Sequence, residues 1–140
     1  MSKNLRLMLA LLGGMAAALV VTKGLEVMGY RLFPLPAGLD PGDPVDVAGR
    51  LGELPVGALV TVLLAHVLGT LVGAWVGVRL AGPKGRPVGL VVGLLMLSIV
   101  AMKVVSSAHP AWFALIDLPM IGAAAWAGML LGARHEGREA

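Results

Sequence analysis

His66, Asp117, Glu26 and Lys103 are ionisable residues set into stretches of sequence that are otherwise apolar. A charge at the centre of a bilayer costs about 2.5–3.5 kcal/mol on insertion scales, so residues of this kind need a partner or a task. At about 100° per residue along a helix, His66 shares a face with Leu59, Thr70, Gly73 and Gly77, and Gly69 borders that face. By the same rule Asp117 shares a face with Phe113, Ile121, Ala124 and Gly128. The small residues lie at the same offsets from both groups: +7 and +11 lead from His66 to Gly73 and Gly77, and from Asp117 to Ala124 and Gly128. If the two helices run in the same direction, their faces can be laid side by side. Pro119 removes a backbone donor and frees the carbonyl of Leu115. That carbonyl, Asp117 and His66 are therefore expected to form one polar pocket, in which the two side chains could exchange protons or hold a substrate. The plainer reading is an interhelical hydrogen bond that fixes packing.

Glu26 and Lys103 belong to the outer ends of their helices, where a long side chain can reach the interface by snorkelling. Lys23 and Glu26, three residues apart, can also pair with each other. His109, in the turn Ser106-Ser107-Ala108-His109-Pro110, is expected to be an exposed cap. Closing four helices around these groups would give a polar vestibule in the outer half above a tightly packed, Gly-rich inner half. Gly69-x-x-x-Gly73-x-x-x-Gly77 is a doubled small-x-x-x-small motif that lets two helix backbones approach closely, and Gly128 extends the pattern to the last helix.

The elements that must position these groups follow from hydropathy. Of 140 residues, 58% are hydrophobic and 14% charged, and mean hydropathy is +0.89. A soluble domain of this size carries about 25% charged residues and could not cover so much apolar surface. The expected fold is all-α, an integral membrane four-helix bundle forming a single domain. Its spans are about residues 6–30, 55–79, 87–105 and 110–133, with an outer loop over about 32–54. Lys3 and Arg6 before an apolar run could mark a secretory signal, but no small-x-small cleavage site follows, so the helix is expected to be retained. Pro55, Pro87 and Pro110 suit the first helical position, where a missing N–H is no loss. In the loop, Asp43-Pro44-Val45-Asp46 reads as a cap opening a short helix toward Leu51. The spacing of Asp40, Asp43 and Asp46 lacks the alternating ligands and closing Glu of an EF-hand, so caps are expected rather than a metal site.

Lys3, Arg6, Arg79, Lys84, Arg86, Arg134 and Arg138 fall on one side of the spans. Lys23, Arg31, Arg50 and Lys103 fall on the other, diluted by Glu26, Asp40, Asp43, Asp46 and Glu53. The positive-inside rule then puts both termini in the cytoplasm. Trp75 and Trp112 fit aromatic belts at opposite interfaces. The basic residues are scattered at helix ends, which argues against nucleic acid as a partner. The expected partners are the bilayer and either a second copy or another membrane protein.

The stretches Leu32-Phe33-Pro34-Leu35-Pro36-Ala37-Gly38-Leu39-Asp40-Pro41 and His109-Pro110-Ala111-Trp112-Phe113 resemble a group of small bacterial four-helix membrane proteins of unassigned activity. The resemblance implies a bacterial inner-membrane protein and no particular reaction. Known small four-helix families fit less well. With no Cys, thiol oxidation is excluded. Met8–Val21 lacks the acid of the small multidrug exporters, and the visible charge bias is unlike that of the exporters and fluoride channels that insert both ways up. No protease motif, nucleophile–base pair, phosphate loop or cofactor motif is present, so no enzyme activity is expected. Two functions remain. A structural or accessory subunit would pack through its Gly-rich faces, a reading slightly favoured because nearly all the chain forms spans. A homo-oligomeric proton-linked transporter or channel would use Asp117 and His66. A water-accessible cavity separates the two, since only the transporter requires one.

Overall fold

The computed structural model describes residues 2–134, so Arg138 lies outside the described residues. Among the described residues five α-helices follow in order: α1 (Lys3–Leu32), α2 (Pro44–Gly49), α3 (Val56–Ala81), α4 (Arg86–Ser106) and α5 (Ala111–Arg134), with a 3₁₀ turn at Leu51–Glu53. No strand occurs among the described residues. Helices α1, α3, α4 and α5 are each long and apolar enough to cross a membrane, the layout of a multi-pass membrane protein. At about 1.5 Å per residue the 30 residues of α1 rise about 45 Å, more than a hydrocarbon core requires.

Side-chain size explains which helix takes the centre. Helix α3 packs against α1, α4 and α5, whereas α1 leans mainly on α3. Small residues let these backbones meet. A Cβ on Gly73 would stand 2.5 Å from the Ala18 Cβ and 2.7 Å from the Gly14 carbonyl, both on α1. A Cβ on Gly69 would strike the Thr22 hydroxyl, and Gly77 faces the Ala10 carbonyl of α1 and Val88 of α4. On the other flank, Gly128 and Gly132 of α5 fit against Leu71, Ala74 and Val78 of α3. The expected helix-packing glycines Gly69, Gly73, Gly77 and Gly128 thus meet neighbouring helices of the same chain. Large apolar side chains instead point outward, with Leu12 59%, Leu94 63% and Leu115 76% exposed.

Contacts between helix ends fix the topology. The Arg6 Nε donates to the Leu80 carbonyl at 3.1 Å, so the start of α1 meets the end of α3. Gly132, near the end of α5, also lies against Val78. The start of α1, the α3–α4 turn and the end of α5 therefore share one end of the bundle. Helix α2 and the 3₁₀ turn close the opposite end, where Val47, Leu51 and Leu54 pack with Leu59 and Phe113.

Several local expectations meet the geometry directly. The Asp43 carboxylate accepts from the Val45 amide at 2.9 Å and caps α2 with Pro44 at its start. Asp40 accepts from the Gly42 amide and Asp46 from the Asp40 amide, each at 2.8 Å, so all three aspartates of the loop serve backbone donors. The prolines need correction. Pro55 is the N-cap of α3, Pro110 precedes α5, and Pro87 is the second residue of α4. An extended ψ of 145° at Pro55 keeps it outside the helix while its carbonyl accepts the first intrahelical bond.

Candidate functional site

Each of the four long helices contributes at least one ionisable side chain to a single cluster in the half of the bundle beneath α2. Helix α3 brings His66 (2% exposed), α5 brings Asp117 (0%), α1 brings Glu26 (4%) and α4 brings Lys103. The His66 Nδ1 stands 2.7 Å from Asp117 Oδ2. On the other edge of the ring, Nε2 lies 3.4 Å from Glu26 Oε1. Glu26 Oε1 in turn accepts from Lys103 Nζ at 3.3 Å, and its Oε2 accepts from Lys23 Nζ at 3.5 Å. The order Asp117, His66, Glu26, Lys103 alternates acid and base across all four helices, so charges that would be expensive singly in an apolar bundle offset one another.

Helical periodicity puts the groups there. The faces assigned to His66 and Asp117 from sequence are the buried ones: Leu59, Thr70, Gly73 and Gly77 on α3, and Phe113, Ile121, Ala124 and Gly128 on α5, are all buried. On α1 the stripe is Ala10, Gly14, Ala18, Thr22 and Glu26, one residue every four and every one buried. The spacing holds a narrow face of small side chains against α3 and carries Glu26 inward at its end. Thr22 donates its hydroxyl to the Ala65 carbonyl at 3.2 Å across the α1–α3 contact. Thr70 donates to the His66 carbonyl at 2.7 Å within α3.

Two sequence expectations about this cluster need correction. Glu26 does not snorkel: it is buried, because its helix face is the one that meets α3 and because His66 and Lys103 supply partners there. Leu115 is not among the residues that line the cavity and is 76% exposed, so its carbonyl is not part of the pocket. His109 also differs from the exposed cap expected. Half-buried, it stacks on Phe113 with ring centroids 5.0 Å apart. Phe113 meets the His66 ring edge-on at 6.3 Å and so separates the two imidazoles. Burial, with the nearby His66 adding to it, holds the His109 imidazole below its ordinary range.

Above the cluster lies a cavity of about 510 Å³. Glu26, His66 and Lys103 form its polar floor and Tyr30, Ser107 and His109 part of its walls, with the α2 segment over it. Asp117 lies one residue deeper, reached through His66. Asp117 Oδ1 is buried with no hydrogen-bond partner, and Nε2 of His66 has none that is aligned, the 3.4 Å approach to Glu26 being an ion-pair distance only. Buried polar atoms are nearly always satisfied, so two such atoms in one cluster mark a place where a proton, water or ligand atom belongs.

Sequence reasoning singled out Asp117, His66, Glu26 and Lys103, and the structure joins all four. It overlooked Thr22, Tyr30 and the small-residue stripe of α1. The four-residue spacing from Ala10 to Glu26 was the signal that could have found the first and the last of these. No protein-family model, curated protein or solved structure matches this chain, so the reading of the site rests on its own geometry.

Proposed function

We propose that this chain is a multi-pass protein of the bacterial inner membrane that moves protons, alone or with a small solute, through the His66–Asp117 pair. The observation that carries the reading is the polar cavity ending on a buried His–Asp pair with unsatisfied atoms. An accessory subunit held by its glycine faces requires those faces to be open and the polar groups to be dry and saturated. Here the faces are occupied by α1 and α5, and the polar groups line a cavity. The charge bias of the loops supports cytoplasmic termini, which makes the cavity open toward the outside of the cell. The resemblance noted in the sequence supports the bacterial setting.

In this reading Glu26 and Lys103 form the entrance, His66 accepts a proton from the cavity through Nε2, and Asp117 receives the opposite proton from Nδ1. A neutral imidazole carries a proton on one nitrogen and a lone pair on the other, so uptake at Nε2 and release from Nδ1 returns it to its starting charge as the other tautomer, and the ring must turn over or re-exchange its proton before the next transfer. Below the pair, glycine contacts close the inner half, so passage onward requires the helices to shift. One chain supplies all four groups, and no second copy is needed to complete the site.

The test is proton flux into liposomes carrying the purified protein, read by a pH-sensitive dye in the lumen under an imposed potential. Wild-type protein should raise the flux above that of empty liposomes, and Asp117→Asn should return it to that baseline. Equal flux from wild type and Asp117→Asn would refute the proton-carrier role of Asp117.

A further inference from the structure

A second cavity, of about 800 Å³, lies at the opposite end of the bundle, between the first turns of α1 and the start of α4. It exists because α1 leans on α3 and meets α4 only lightly, leaving a groove between them. Leu7, Leu11 and Val88 line the groove, while Lys3, Arg6 and Lys84 stand at its rim. Among the described residues the rim carries only basic charges. Arg6 is fixed by its Nε bond to the Leu80 carbonyl, with its guanidinium lying against Gly82 in the α3–α4 turn. Lys84 adopts φ +74°, a left-handed conformation that a residue other than glycine seldom takes. Among the described residues no carboxylate pairs with any of the three cations. The acids among the described residues lie instead in the cluster at Glu26 and Asp117 or in the loop that holds Asp40, Asp43, Asp46 and Glu53.

We infer that this groove is a binding site for one anionic phospholipid, its phosphate held by Lys3, Arg6 and Lys84 and an acyl chain lying along Leu7, Leu11 and Val88. Charge complementarity selects the headgroup, since guanidinium and ammonium groups are the natural donors to phosphate oxygens. The apolar wall selects a lipid over a free phosphate, which would gain nothing from it. Basic pockets between membrane helices recognise anionic headgroups by this combination. The inference rests on the membrane reading above but not on the proton-carrier role of Asp117.

The test uses the purified full-length chain in mild detergent, offered equal amounts of phosphatidylglycerol and phosphatidylcholine of the same acyl chains, with retained lipid counted by native mass spectrometry. One phosphatidylglycerol should be retained with a preference of about tenfold or more, given that each cation near a lipid surface contributes a factor of about five. The double variant Lys3→Gln/Lys84→Gly should lose most of that preference while folding normally, because glycine suits the backbone at position 84. Arg79→Gln/Arg134→Gln, which removes two cations at the same end but outside the groove, should keep it. Equal retention of both lipids by wild type would overturn the site, as would an equal loss of preference in the two double variants. A chain that stayed soluble without detergent would overturn the membrane reading and the lipid site with it.

Discussion

The imidazole of His66 stands between two carboxylates, and it is Asp117, 51 residues away in sequence, that it holds at 2.7 Å. This is the shortest link in the polar chain across the bundle, and both partners are buried, with His66 alone of the two reaching the cavity. Asp117→Asn keeps the shape and leaves an oxygen to accept from Nδ1. Interhelical hydrogen bonds in membranes contribute about 0.6 kcal/mol on average, so the unfolding temperature in detergent should move by only a few degrees. Asp117→Leu leaves Nδ1 without a partner and should destabilise by more, about 1–3 kcal/mol for an unpaired buried group. Thermal unfolding of the two variants side by side checks this. A larger loss in the Asn variant would mean that the charge, not the hydrogen bond, holds α3 to α5.

The fold and half of this site could be read directly from the residues. His66 and Asp117 interrupt apolar runs long enough to leave no nearby interface, so burial was the only resolution and helical angle gave the face. Glu26 was ambiguous for a physical reason. It lies close enough to the end of α1 that a long side chain could reach water or turn inward, and hydropathy alone cannot choose. What decides is the partner face on α3, a tertiary fact. The glycines were legible as contact residues, but not which helix would fill them. Gly73 meets α1 because Gly14 and Ala18 offer a matching small surface, and that match appears only when two distant segments are compared.

Glu26 is bound to two lysines of very different worth. The Lys23 side chain is 68% exposed and shares a helix with Glu26, whereas the Lys103 side chain, 49% exposed, reaches across from α4. Lys23→Ala should change stability by less than about 1 kcal/mol, the usual range for an exposed pair. Lys103→Ala removes one of two interhelical partners of a buried carboxylate and should cost more. Chemical denaturation of both variants decides the matter, and equal effects would show that Glu26 does not depend on α4.

The α1–α3 contact has almost no room. A Cβ added at Gly73 would come within 2.5 Å of the Ala18 Cβ and 2.7 Å of a backbone carbonyl, so one helix has to move. Gly73→Ala should destabilise by about 1–3 kcal/mol, the range for overpacking. Gly24, on the same pair of helices, has nothing within 4 Å of the added atom. Gly24→Ala should be neutral or stabilising, by up to about 1 kcal/mol, because alanine is the better helix former. Unfolding of the two variants in one detergent provides the comparison; a Gly73→Ala protein as stable as wild type would mean that the glycine face is not closely packed.

His109 should make the fold sensitive to acid. Its imidazole is held below its ordinary value of 6.5 by burial on Phe113 and by His66. In the unfolded chain the group protonates near its ordinary value, so below that pH the unfolded state binds more protons than the folded one. Stability is then fully present above pH 6.5 and declines as the pH falls below it, toward the depressed folded value. His109→Phe keeps an aromatic ring over Phe113 and removes the titration, so its unfolding temperature should fall less than that of wild type between neutral and mildly acidic pH. Nuclear magnetic resonance of the His109 ring gives the direct reading. A midpoint at or above 6.5 in the folded protein would contradict the burial seen here, and equal acid sensitivity of wild type and His109→Phe would move the effect to other groups.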